Sequence, residues 1–176
     1  MRSHRNVSSG CVTECSDRDD SRRRANLPPF PPAVPLPLPL QFVSVPYEDL
    51  VWQRLFPELG ELSGDIAIVN QNPNTGATQL FIRTPAQIHT RLHWHSANET
   101  HTVIAGEWTF RNISVPGSPC QTLGVGGFNF IPGGQRHEAW STPGAVVFVT
   151  TDGPFDISWV DHPPTIDDVG VVAPCG

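Results

Sequence analysis

Short apolar runs bounded by turn residues fill most of the chain after Gln41. Eight such runs, each five or six residues long, follow one another at regular spacing. Regularly spaced short strands are typical of an all-β barrel or sandwich, so the pattern predicts that fold class. The predicted strands are Asp65–Val69, Gln79–Arg83, Thr90–His95, His101–Ala105, Trp108–Ile113, Gly127–Ile131, Ala145–Thr150 and Asp156–Val160.

The turns between these runs support the prediction, and one earlier segment fits two structures. Asn72–Gly76 and Pro132–Gly134 supply the fixed and positive φ values that tight turns require. Before the first predicted strand, Val43, Val45 and the stretch Leu50–Leu55 offer apolar surface. A short helix and an edge strand both stay open for that stretch.

The first 40 residues differ in composition from the rest. Residues 1–27 contain Arg, Ser, Asp and Asn with almost no large apolar side chain, so they cannot bury enough surface to offset the entropy of ordering. Residues 28–39 contain seven Pro and predict a polyproline II spacer, or alternatively a ligand for an SH3 or WW-type module. We therefore divide the chain into a disordered, Pro-rich arm at 1–40 and one β-barrel domain at 41–176.

Charge and composition narrow the partners and the location. The chain carries 11 Arg, no Lys and a formal net charge of −6. Residues 41–176 hold five Arg against thirteen Asp and Glu, and an acidic domain lacks the basic surface that binds phosphates. No segment has the apolar core of a signal peptide or the length of a membrane span. We therefore expect a cytoplasmic protein that binds neither nucleic acid nor membranes.

The cysteines give no metal-site signal. Cys11, Cys15, Cys120 and Cys175 form no C-x2-C pair of the kind that builds a zinc site. We expect free thiols at all four positions.

Four other side chains are spaced as the ligands of one metal ion. Successive side chains of a strand point to opposite faces, so His93 and His95 project to the same side. A hairpin after His95 would fold the Glu99 carboxylate back toward both rings, and His137 follows a tight turn later in the chain. Three imidazoles and a carboxylate suit a divalent transition metal. We expect one such ion, with Fe preferred over Mn, Ni, Cu, Co and Zn.

The same residues resemble the two sequence motifs of the cupin superfamily. The first motif reads His93-x-His95-x3-Glu99-x6-Gly106, and the second reads Gly126-x5-Pro132-x-Gly134-x2-His137. Gln87 replaces the Gly that opens the first motif, and Ser141 replaces the Asn that closes the second. The resemblance implies a cupin-type double-stranded β-helix, a jelly-roll barrel, that holds one metal ion and forms a homodimer. A cupin that has kept these ligands but binds no metal is the alternative.

Further side chains are candidates for the pocket around the metal. His89, Arg91 and His101 share the strand parity of the candidate ligands, so we expect Arg91 and His101 in the substrate pocket. For His89 and Arg91 the alternative is a solvent-exposed barrel rim. Phe128 and Phe130 are expected in the core.

The resemblance implies several reaction classes, of which we favour an oxidoreductase of the dioxygenase type. A three-His, one-Glu centre leaves open positions for a chelating oxygen ligand or for O2. We expect a small oxygenated or enolisable substrate, with Glu99 as both ligand and proton acceptor and His101 as acid or base. The alternatives are a cupin isomerase, decarboxylase or lyase, and a non-catalytic module that senses a small molecule or a metal.

Overall fold

The computed structural model describes residues 39–175. Within this range eleven strands occur, together with short 3₁₀ turns at Tyr47–Asp49, Pro57–Leu62 and Ile166–Asp168. The strands are β1 Gln53–Arg54, β2 Asp65–Gln71, β3 Thr78–Thr84, β4 Ile88–Trp94, β5 Glu99–Ala105, β6 Trp108–Asn112, β7 Cys120–Leu123, β8 Phe128–Ile131, β9 His137–Ser141, β10 Ala145–Thr151 and β11 Ser158–Trp159. The predicted arm at 1–40 lies outside the described residues except for Pro39 and Leu40, and its boundary stays a prediction.

Two antiparallel sheets enclose the core. One sheet has the strand order β1-β2-β3-β10-β5-β8, and the other has the order β11-β4-β9-β6-β7. Apolar side chains from both sheets meet between them, and Leu80, Val103, Val147 and Val149 are almost completely buried. Each such burial contributes about 1.5–3 kcal/mol to stability. The predicted all-β jelly-roll fold class is confirmed.

The apolar pattern located eight of the eleven strands, left β1 open as an edge strand or a short helix, and missed β7 and β9. The two strands that the pattern missed are rich in polar residues, with the sequences Cys-Gln-Thr-Leu in β7 and His-Glu-Ala-Trp-Ser in β9. In the stretch Leu50–Leu55, which fitted either a helix or an edge strand, the structure has the edge strand β1, and the 3₁₀ turn Tyr47–Asp49 precedes it.

Strand β8 corrects the prediction that Phe128 and Phe130 lie in the core. Asn129 pairs with His101, which is buried, so the residues on either side of Asn129 face outward. Phe128 is 59% exposed and Phe130 is 55% exposed. Because β8 is an edge strand, no neighbouring strand on its far side covers them within residues 39–175.

A β-bulge in strand β4 changes which residues face the interior. Thr90 pairs with Ala139, and His93 pairs with His137, so two residues of β4 oppose the single residue Glu138 of β9. Both Thr90 and His93 contact the interior cavity although an odd number of positions separates them. The alternation of inner and outer positions therefore reverses within the bulge.

The C-terminal segment, defined as residues 160–175, runs beside the part of β4 that β11 leaves unpaired and then reaches the opposite edge of that sheet. Val169 forms a β-bridge with Ile88, and the N–H of Gly170 donates to the carbonyl of Gln87 at 2.9 Å. At its end Cys175 forms a disulfide with Cys120 of β7. The prediction of free thiols is therefore wrong for this pair, while Cys11 and Cys15 lie outside the described residues.

Among residues 39–175, no helix is long and apolar enough to cross a membrane.

Candidate metal centre

Three histidines converge inside the barrel. His93 is near the end of β4, His95 follows that strand directly, and His137 opens β9. The three offer ligand nitrogens that all lie within 4.8 Å of one another. All three side chains are buried. The structure thus brings together the three histidines that the sequence singled out.

Each of the three rings is oriented by a backbone carbonyl. The Nδ1 atom of every ring faces a carbonyl oxygen, which can only accept a hydrogen bond, so Nδ1 must carry the proton. In a neutral ring the Nε2 lone pair is then free to bind a metal. The pairs are His93 with Arg91 at 2.6 Å, His95 with Asp156, and His137 with Gln135 at 3.0 Å.

Burial keeps two of the rings neutral. It lowers the pKa of His93 to about 2, aided by the nearby rings of His137 and His95, and it lowers the pKa of His137 to about 4. At neutral pH these two histidines offer unprotonated nitrogen. For His95, burial also works to lower the pKa, but contact with the Glu99 carboxylate outweighs it and the pKa is raised.

Glu99 lies beside this histidine group and is 1% exposed. Its Oε1 is 3.3 Å from Nε2 of His101, and its Oε2 is 3.0 Å from Nε2 of His95. Burial alone would raise the pKa of Glu99, but the adjacent His101 and His95 outweigh it and hold the pKa well below its usual range. Glu99 is therefore a buried carboxylate, although it is outside the group whose ligand atoms all lie within 4.8 Å.

One atom of this carboxylate has no hydrogen-bond donor. The contact between Oε2 and His95 lacks hydrogen-bond geometry, and no other donor within residues 39–175 reaches Oε2. A buried charged oxygen without a partner is strongly destabilising unless a cation satisfies it. Three Nε2 lone pairs and this oxygen therefore fit a divalent metal ion.

His101 connects Glu99 to the edge strand β8. Its Nδ1 lies 2.9 Å from Oδ1 of Asn129, while its Nε2 faces Glu99. The ring is 6% exposed and packs against Phe110 at 4.9 Å between ring centroids. His101 thus holds one oxygen of Glu99 and leaves the other oriented toward His95.

A small cavity of about 40 Å³ borders the candidate centre. Its polar lining is His93, His95, Glu99, His101, Thr84 and Thr90, and it contains no Arg or Lys. The remaining lining is apolar: Leu55, Phe56, Ile82, Trp108, Phe110, Ala139, Phe155 and Ile157. A larger open cleft of about 530 Å³ is lined by other residues, among them Asp65 and Arg83, and by none of the histidines.

Arg91 and His89 do not line this cavity, which corrects the expectation based on strand parity. The bulge between Thr90 and His93 turns both side chains to the outer face. There Arg91 donates to Asp168 at 2.7 Å, and His89 stacks on Trp140 with ring centroids 4.6 Å apart. Neither residue lies on a free barrel rim, because Asp168 of the C-terminal segment contacts both side chains.

Sequence reasoning missed the residues that orient the site. The carbonyls that receive the Nδ1 protons belong to Arg91, Asp156 and Gln135, and a carbonyl leaves no signal in residue identity. Asn129 was also missed, although its alternation with Phe128 and Phe130 marks an inward polar position once those two face outward.

No protein-family model and no curated protein matches this chain. Solved structures do match it in fold. A proposed acetylacetone dioxygenase from Methylibium petroleiphilum PM1 is 16% identical with a TM-score of 0.56, over 76% of this chain and 91% of that one. An RmlC-like cupin from Ralstonia eutropha JMP134 is 16% identical with a TM-score of 0.53, over 76% and 78%.

An oxalate decarboxylase structure is similar over one part of its length. It is 19% identical with a TM-score of 0.54, over 69% of this chain but only 33% of that chain. The present chain therefore spans about a third of that enzyme. At these identities the likeness establishes the fold and leaves the chemistry to the residues of the site.

Proposed function

We propose, from the premise that this chain has the cupin fold, that it is a metal-dependent enzyme of the dioxygenase type acting on a small enolisable molecule. The observation that carries the proposal is the grouping of three histidines, whose Nδ1 atoms all face backbone carbonyls, next to the unpaired Oε2 of Glu99 and a small, largely apolar cavity. His93, His95, Glu99 and His137 would hold the ion. A bound transition metal would supply Lewis acidity and access to O2.

The charges at the site favour a substrate that chelates through oxygen with one negative charge. A divalent cation held by one carboxylate has a net charge of +1, and the cavity lining contains no Arg or Lys to neutralise a second negative group. A monoanionic enolate would leave the buried centre neutral, which minimises the cost of desolvation. A dicarboxylate would add a charge that nothing in this lining offsets.

The apolar walls favour small hydrocarbon substituents on that chelating group. Ile82, Phe110 and Phe155 offer no hydrogen bonds to a substrate, whereas they can bury methyl or methylene groups. His101 holds Glu99 in place and is the one histidine of the lining that is outside the candidate ligand set.

The similar structures support oxygen-chelating substrates on this fold but not one reaction. One of them is a proposed acetylacetone dioxygenase and another is an oxalate decarboxylase. The apolar lining without Arg or Lys favours the first kind of substrate over the second. Isomerase, decarboxylase and lyase reactions use related centres and remain the alternatives, and a non-catalytic sensing module is the second candidate function.

Metal analysis followed by ligand titration tests the proposal. Protein purified without chelators should contain close to one transition-metal ion per chain, and Fe(II) or Co(II) loading should give a spectrum that changes on adding a small 1,3-diketone. Oxygen consumption with the Fe(II) protein should accompany loss of the diketone, and oxalate should perturb the spectrum less. A spectrum that changes without any turnover would favour the sensing module. Failure of the purified chain to bind any of these metals would contradict the enzyme and a metal-sensing module.

A further inference from the structure

The loop between two candidate ligands is held from both ends by carboxylates of another loop. Residues 96–98 connect His95 to Glu99, and the facing loop follows strand β10. Asp156 accepts hydrogen bonds from the backbone N–H of Ser96 at 2.8 Å and from its hydroxyl at 2.5 Å. Burial alone would raise the pKa of Asp156, but these donors outweigh it and lower the pKa.

Asn98 occupies the other end and uses every polar group that it has. Its backbone N–H donates to Oδ1 of Asp152 at 2.9 Å, and its Nδ2 donates to Oδ2 of Asp152 at 2.5 Å. Its carbonyl accepts from the N–H of Asp152 at 3.3 Å. Its Oδ1 accepts from the N–H of Gly133 at 2.9 Å. The half-buried Asn98 therefore joins two loops to its own.

The loop that contains Gly133 leads directly to His137, and it packs closely on the loop of Asn98. A Cβ atom at Gly133 would lie 2.6 Å from the carbonyl oxygen of Ser96, so only glycine fits there. The next residue, Gly134, donates its N–H to the carbonyl of His95 at 2.8 Å. The position of His137 is thus tied to the loop between His95 and Glu99.

We infer that Asn98 is a positioning residue for the metal centre, fixing His95, Glu99 and His137 relative to one another without contacting the ion. This inference rests on the proposed metal site. It has two partner residues: Gly133 belongs to the loop that leads to His137, and Asp152 belongs to the loop that also contains Asp156, whose carbonyl orients His95. Groups that orient ligands typically change metal affinity by 10–100-fold when they are removed.

Asn98→Ala compared with Asn72→Ala provides the first test. Asn72 is a matched control because its Oδ1 also accepts from backbone N–H groups, those of Asn74 at 2.9 Å and Thr75 at 3.3 Å, in a β2–β3 turn that holds no candidate ligand and does not line the cavity. The measurements are Co(II) affinity by competition with a chelator, the Co(II) visible spectrum and the melting temperature. We expect Asn98→Ala to weaken Co(II) binding at least about 10-fold and alter the spectrum. Asn72→Ala should change only the melting temperature.

A charge exchange between Asn98 and Asp152 provides the second test. Asn98→Asp places two carboxylates against each other. Asp152→Asn leaves the backbone N–H and the side-chain amide of Asn98 facing a single acceptor oxygen at position 152. In the double variant, Asp at 98 still accepts from Gly133 and from the new amide at 152, while the amide oxygen accepts the backbone N–H of 98. We expect each single variant to weaken Co(II) binding and the double variant to recover affinity to within about 3-fold of the unmodified chain.

The outcomes separate this inference from the proposed metal site. If the unmodified chain binds no Co(II), Fe(II) or Mn(II), the metal site itself is wrong and the inference falls with it. If the unmodified chain binds Co(II) and Asn98→Ala binds it equally well with the same spectrum, the metal site stands and the positioning role is wrong. Should Asn98→Ala be too unstable to purify, the single and double exchange variants decide, and a double variant no better than its singles overturns the inference.

Discussion

The Nε2 atom of His101 lies 3.3 Å from Oε1 of Glu99, and this contact leaves the other oxygen of Glu99 directed toward His95 at 3.0 Å. A single buried ring therefore determines which oxygen of the carboxylate is available to a metal. The same ring borders the small cavity, so it acts on the ion through Glu99 and on a substrate directly.

We predict that His101→Ala keeps the metal but weakens its response to ligands. Glu99 would lose the group that fixes Oε1, so metal affinity should fall by about 10-fold, and a 1,3-diketone should perturb the metal spectrum less. Titration of the Co(II)-loaded protein measures both effects. Arg91→Ala is the control, because Arg91 is on the outer face and should leave both quantities unchanged. Equal effects of the two substitutions would contradict the assigned roles.

Removal of a candidate ligand should have a larger effect. We predict that His93→Ala, His95→Ala and His137→Ala each weaken metal binding by roughly 100-fold or more, because the remaining groups chelate less and leave a gap beside the ion. Glu99→Gln should have a smaller effect, since an amide oxygen can still coordinate. Metal analysis of each purified variant measures this, and full occupancy in two of the histidine variants would show that the site is elsewhere.

The Cys120–Cys175 disulfide should stabilise the domain without affecting the metal. It closes a loop across 55 residues, for which chain entropy gives an upper contribution of about 4 kcal/mol. Cys175→Ser should therefore lower the melting temperature by roughly 10 °C and leave metal content unchanged. A reductant should lower the melting temperature of the unmodified chain to that of the variant and have no effect on the variant. No response of the unmodified chain would argue against the bond.

This disulfide also bears on the predicted cytoplasmic location, which stays a prediction. Disulfides are uncommon in the reducing cytoplasm and common outside it. Thiol titration of protein extracted under acid quench would show whether the bond exists in cells.

The predicted homodimer likewise stays a prediction, and light scattering of the purified chain would test it.

Acid should weaken the attachment of the C-terminal segment through Asp168. Burial alone would raise the pKa of Asp168, but hydrogen bonds from Arg91 and Thr165 outweigh it, so the pKa lies below the usual 3.8. The unfolded chain then takes up this proton at a higher pH than the native state does, so the stabilisation is present above about pH 4 and is lost as pH falls through the native pKa. Asp168→Asn should therefore flatten the fall in unfolding free energy between about pH 5 and pH 3. Unchanged slopes would contradict this role.

Deletion of residues 1–38 tests the predicted domain boundary. We predict nearly unchanged melting temperature and metal content, because the first described residues are exposed and pair with no strand, and Phe42 is 95% exposed. A substantial fall in melting temperature would show that the deleted residues pack on the barrel.

The alternation of side chains along a strand predicted that His93 and His95 share a side, and it needed to hold over only two positions. His93 and His95 lie beyond the bulge in β4, so their shared parity survives. Extending the same parity back to Arg91 and His89 failed, because the bulge depends on how β4 pairs with β9, which is 40 or more residues away in sequence. Strand β9 itself lacks the apolar alternation that marks strands, so the sequence did not reveal the pairing partner of β4 either.

The disulfide and the loop contacts of Asn98 could not be predicted from the sequence for a related reason. Cys120 and Cys175 are 55 residues apart, and only the path of the C-terminal segment brings them together. Asn98 contacts Asp152 and Gly133, which follow two other strands. Residue types and spacing predicted which groups could bind a metal, whereas the contacts that orient those groups depend on the tertiary arrangement of three loops.

The bulge in β4 is the place where this strand can lose a residue and keep its faces. Arg91 and Leu92 together oppose Glu138 there, so deleting either one would restore regular pairing and leave Thr90 and His93 both directed inward. A deletion anywhere else in β4 would place the residues on one side of it on the opposite face. A library that aims to alter the chemistry of this barrel should therefore vary side chains in β4 and confine changes of length to Arg91 and Leu92.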